Sequence, residues 1–155
     1  MIDFYSSPST LFHQALIPNT DIRIITSNEG FIILNSSGFQ KSLNFSSYSF
    51  NNLKCDLIDT ADFTKNNSAL LVTSCNYHIN GFSNIQVGSS KINILALWEF
   101  DYISFSINKF ASLPISYNPS YLKIIALNDT DFEIMTTQQC PNCLMAQMLH
   151  FRGKW

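Results

Sequence analysis

The chain has 155 residues, of which only 13% are charged, against about 25% in an ordinary soluble domain. Nine basic and eleven acidic side chains leave a formal net charge of −2, which argues against a nucleic-acid binder, since such proteins neutralise phosphates with clustered Lys and Arg. With 46% hydrophobic residues, including thirteen Phe, the chain has ample apolar surface for a core, which argues against disorder.

No Gly/Ser linker, charge block or repeat divides the sequence, so a single domain over 1–155 is expected. Met1 to Pro8 has neither a basic n-region nor an apolar run, and no stretch approaches the roughly 20 apolar residues of a membrane helix. The chain as given is therefore expected to be soluble, without membrane insertion, or to reach its site as part of an assembly, a virion or a comparable secreted or cell-surface machine. Its localisation is left unknown, with virion and cytoplasm both open. The N-x-S/T triplets at Asn35, Asn44, Asn66 and Asn128 arise easily by chance in so Asn- and Ser-rich a chain, and without a leader they do not predict glycosylation.

In chain order, Ser9 is placed to cap a short helix through Leu16, which Pro18 would end. Ile22 to Thr26 reads as a strand, and Ser27 to Gly30 as a turn with Gly30 supplying positive φ. Phe31 to Leu34 then returns as the second arm of a hairpin. After a turn at Ser37-Gly38, Phe39, Leu43 and Phe45 alternate with polar neighbours. Leu53, Cys55 and Leu57 alternate in the same way with Lys54 and Asp56. Further strands are predicted over Ala69 to Cys75 and at Ile85 and Val87.

The longest strand spans Lys91 to Lys109, or breaks in two around Glu99 to Asp101. Both its faces are largely apolar, which marks it as central. Tyr121 to Leu127 and Phe132 to Thr136 form a last hairpin around Asn128 to Asp131. Leu144, Met145, Met148 and Leu149 then repeat at helical spacing after Pro141, predicting a C-terminal helix that ends near Arg152-Gly153. Eight or nine short strands with two flanking helices predict an all-β fold: an antiparallel, jelly-roll-like β-sandwich.

Four cysteines carry the sharpest chemical signal. Cys140 and Cys143 form a C-x2-C, and Cys75 with His78 a C-x2-H; together they would make a tetrahedral Cys3His site for structural zinc. The competing readings are buried thiols, notably Cys55 and Cys75 at apolar strand positions, and disulfides, of which Cys140–Cys143 would close most easily. A dithiol oxidoreductase is disfavoured, because its motif follows the first strand of a βαβ unit and here lies near the end of a β-rich chain.

Asp129, Asp131 and Glu133 alternate on one strand face, and Asp56, Asp59 and Asp62 recur around an expected turn. Neither set has the glycine-punctuated loop of a calcium site, so solvated or capping carboxylates are the plainer reading. His13, His78 and His150 stand near no nucleophile elbow, and there is no Gly-rich phosphate loop, so no enzyme is expected. Phe4, Tyr5, Tyr48, Phe50, Tyr77, Tyr117 and Tyr121 lie in or beside Ser/Asn-rich segments that could stack a glycan.

Sparse charge and abundant apolar residues suit a surface covered by other subunits. The expected function is a non-enzymatic structural or assembly subunit of a larger complex, such as a virion, with protein subunits or its own copies as partners. The alternatives are a glycan- or small-ligand-binding module and a zinc-stabilised intracellular adaptor.

Overall fold

The structure is a computed structural model that describes residues 13–27, 29–45, 53–63, 67–79, 90–138, 142, 144–145 and 147–155. These residues form eleven antiparallel strands in three sheets. The first sheet holds β1 (Gln14–Leu16), β2 (Arg23–Thr26), β3 (Gly30–Leu34) and β4 (Gln40–Asn44). The second holds β5 (Lys54–Phe63), β6 (Ser68–Ile79), β7 (Ser90–Asp101) and β8 (Ser106–Ile115). The third holds β9 (Pro119–Ala126), β10 (Asp131–Gln138) and β11 (Gln147–Lys154). Each sheet joins strands that are consecutive in sequence. The fold is therefore sandwich-like but built of meanders, without the crossovers of the expected jelly roll.

The second sheet is the middle layer, because both of its faces are apolar. Ala69, Leu71 and Cys75 on β6 and Ile94, Ala96, Trp98 and Phe100 on β7 bury against Ile24, Phe31 and Ile33 of the first sheet. The intervening Leu70, Val72, Leu95 and Leu97 bury against Leu122, Ile124, Phe132 and Ile134 of the third. A strand with two apolar faces must be covered twice. The expectation that β7 is central holds, with β6 and β8 on either side. Its break comes after Asp101, whose Oδ1 accepts the Ile103 and Ser104 amides at 2.8 and 3.0 Å and turns the chain at 102–105.

A bulge shifts β5 by one residue between Cys55 and Ile58. Before it Cys55 faces the first sheet; after it Ile58 does, and Leu57 moves to the opposite core. The Leu57 amide, displaced from the ladder, donates to Ser74 Oγ at 3.1 Å. Asp56, Asp59 and Asp62 accordingly lie on a strand, not around a turn.

Three other expectations are corrected. Residues 147–154 form a strand, not a helix: all eight pair with β10, and Leu149, Phe151 and Gly153 alternate inward. Of the predicted N-terminal helix, Gln14 to Leu16 is strand β1 paired with β2, and Ser9 lies outside the described residues, as does the strand expected at Ile85 and Val87. Gly30 is required for closeness, not for φ. A Cβ built there would lie 1.8 Å from the Leu43 carbonyl oxygen, whereas the positive φ, 89°, belongs to Gly38.

Candidate functional site

Cys75 and His78 lie three residues apart on β6, and in a strand that spacing sends side chains to opposite faces. Cys75 is buried beneath the first sheet, while His78 is exposed beyond the other face. The Cys75 sulfur is also committed: Cys55 stands directly across the β5–β6 ladder, and the two form a disulfide. A disulfide sulfur is not a thiolate and cannot serve as a zinc ligand. The expected Cys75/His78/Cys140/Cys143 set thus loses Cys75; Cys140 and Cys143, the pair that any disulfide was expected to join most easily, lie outside the described residues. Among the described residues no group of three or more His, Cys, Asp or Glu is placed to hold a metal ion.

The disulfide belongs to a buried cluster. Trp98 Nε1 donates to Thr73 Oγ1 at 2.9 Å, and the same oxygen lies 2.9 Å from Cys75 Sγ. The Trp98 ring is flanked by Phe31, Phe45 and Phe110, with ring centres 4.5–5.5 Å away. Every polar atom here has an internal partner, which suits a structural core and leaves no group aimed at a ligand.

Several of the candidate carboxylates serve cohesion, whereas Asp62 Oδ1 is buried with no hydrogen-bond partner among the described residues. Asp59 Oδ2 accepts the Ile124 amide at 2.8 Å and lies 3.7 Å from Lys123 Nζ, joining β5 to β9. Asn128 bonds Asp131 within the β9–β10 turn. Glu133 is bound by Arg152 and lies 3.3 Å from His150 Nε2, both on β11. The Arg152 hydrogen bond, with His150 adding to it, holds the Glu133 carboxyl below its ordinary value. Of the aromatic residues weighed as ligand platforms, Tyr77 packs against the first core, and Tyr117 and Tyr121 are exposed. Phe4, Tyr5, Tyr48 and Phe50 lie outside the described residues.

The outward face of the third sheet, missed in the sequence, carries the most informative surface. Its inner residues point into the core, so alternation turns Tyr121, Lys123 and Ile125 of β9 outward. With them go Glu133 and Met135 of β10 and Met148, His150 and Arg152 of β11. Tyr121 is 46% exposed, Ile125 38% and Met148 61%, while Leu127, Leu144 and Met145 are exposed nearby in sequence. The alternation of β9 was legible beforehand. That of β11 was hidden behind its helical spacing.

No protein-family model matches the chain, and comparison with curated proteins and with solved structures likewise finds no match.

Proposed function

We propose that the chain is a non-enzymatic structural subunit that assembles with further copies of itself through the outward face of β9–β10–β11. The observation that carries this reading is the exposure of Tyr121, Ile125 and Met148 on one sheet face, in a chain otherwise short of charge. A second copy is the occupant because the face is self-complementary. Acidic Asp131 and Glu133 on β10 lie beside basic Lys154 and Arg152 on β11, each pair in register. A two-fold axis parallel to these strands and between them would set Glu133 of one copy opposite Arg152 of the next, and Asp131 opposite Lys154.

The test is oligomeric state by native mass spectrometry and light scattering, for the wild type and for the Tyr121→Asp/Ile125→Asp variant. Both positions are exposed, so the variant should stay folded by circular dichroism while the assembly falls to a monomer. A wild-type protein that is monomeric at every concentration reached would overturn the reading.

A further inference from the structure

We propose that Asn35 and Asn128 carry N-linked glycans. Both begin an N-x-S/T triplet, Asn35-Ser36-Ser37 and Asn128-Asp129-Thr130, and both sit at hairpin tips: β3–β4 and β9–β10. Ser36, Ser37 and Asn128 to Thr130 are exposed, and the space around Gly38 beside Asn35 is open. Asn44 also begins such a triplet but is the last residue of β4, paired with Gly30, and not at a hairpin tip.

The two tips share one geometry. Asn35 Oδ1 accepts the Ser37 amide and hydroxyl at 3.1 and 2.7 Å and the Phe39 amide at 2.9 Å. Asn128 Oδ1 accepts the Thr130 amide and hydroxyl at 2.9 and 3.2 Å and the Asp131 amide at 2.8 Å. The turns thus hang on the amide oxygen, which glycosylation leaves untouched. At Asn128 the nitrogen also donates to Asp131 Oδ2 at 2.8 Å, and a substituted amide keeps one N–H for that bond. A sugar can therefore be added at either tip without losing these hydrogen bonds.

The Cys55–Cys75 disulfide is the independent observation. Its sulfurs are closed off in the core, and such bonds form and persist in oxidising compartments, where asparagine glycosylation also takes place. The donor is a lipid-linked pyrophosphoryl oligosaccharide. The Asn Nδ2 forms a bond to the sugar C1, and the C1–O bond to pyrophosphate breaks. The lipid pyrophosphate leaves with the electron pair, and one amide proton is lost to a base.

The test is peptide mapping by mass spectrometry of protein isolated from its own cells, before and after peptide N-glycosidase. The expected result is sugar mass on the peptides bearing Asn35 and Asn128, with Asp at both positions after enzyme treatment. Ser37→Ala and Thr130→Ala, produced in the same cells, should each lose one glycan, and Ser37→Thr should keep it. Unmodified Asn at either position in the wild-type protein overturns the assignment there; unmodified Asn at both overturns the proposal.

Discussion

Lys109 holds its ammonium 4.3 Å from the centre of the Trp155 ring and also donates to the Trp155 carbonyl oxygen at 3.0 Å. Trp155 Nε1 donates to Glu99 at 3.3 Å, and Glu99 and Lys109 face each other across β7 and β8. The end of β11 is thereby latched to the middle sheet, while the Trp155 amide donates to Thr130 of the β9–β10 turn at 2.6 Å. Lys109→Ala should cost about 0.5–1 kcal/mol, the range of an exposed cation–π contact. Trp155→Ala should cost about 2 kcal/mol, less than the roughly 3–5 of a fully buried ring. Urea denaturation of both variants and of the double variant checks this. The double should cost about 0.5–1 kcal/mol less than the sum, because the residues share one contact.

The disulfide between Cys55 and Cys75 joins strands already paired, so its stabilisation comes from restricting the unfolded chain. For a sequence separation of 20, the loop-entropy relation gives about 3 kcal/mol. Cys55→Ala/Cys75→Ala should therefore lower the unfolding free energy by about that amount, with β-rich circular dichroism retained. Equal urea midpoints for the wild type and the double variant would remove the disulfide from the account of stability.

How much of this was legible beforehand depends on whether a feature is local. The hairpin from Ile22 to Leu34 and the one around Asn128 to Asp131 announce themselves through alternation and turn residues, and both form. The apolar faces of β7 marked it as central for the reason the structure gives. The third layer was illegible, because no local pattern says what will cover a second apolar face. At 144–149 four apolar residues suit a helical stripe, and only pairing with β10 settles the segment as strand from Gln147. Cys55 and Cys75 were both recognisable as buried, but their union depends on register, and the bulge beginning at Cys55 shifts register without leaving a sequence mark. The three aspartates expected at a turn lie instead on β5, which is strand from Lys54 to Phe63. The charged half of the outward face stayed hidden with β11.

Gly30 gives a sharp test of the β3–β4 contact. A methyl group there meets backbone, the Leu43 carbonyl oxygen at 1.8 Å and the Asn44 Cα at 2.9 Å, and neither can rotate away. Gly30→Ala should force the two strands apart and cost about 1–3 kcal/mol, the usual penalty of overpacking. Gly38→Ala meets no atom within 4 Å, and its penalty arises from the positive φ alone, about 1 kcal/mol. Thermal melts should rank Gly30→Ala below Gly38→Ala, and amide exchange in β4 should accelerate only in the former.

Acid should weaken the fold through a small set of carboxylates. Glu133 is held below its ordinary 4.5 chiefly by the Arg152 hydrogen bond, Asp101 below 3.8 by the Ser104 amide, and Asp21 below 3.8 by the Ser36 hydroxyl. Each folded carboxyl thus binds its proton less tightly than the unfolded one. The stability each contributes is fully present above its unfolded value and is lost as pH falls through the folded value. Unfolding free energy should accordingly decline as pH drops from about 5 toward 3, a direction set by carboxylate protonation. Arg152→Ala removes the main cause at Glu133, so the Glu133 titration followed by NMR should move up toward 4.5 and the acid limb should become shallower. Asp101→Asn isolates the turn contribution, since an amide oxygen can still accept the Ile103 and Ser104 amides but does not titrate over this range. If Glu133 titrates at its ordinary value in the wild type, the β10–β11 ion pair contributes nothing to acid stability, and the decline must come from other groups such as Asp101 and Asp21.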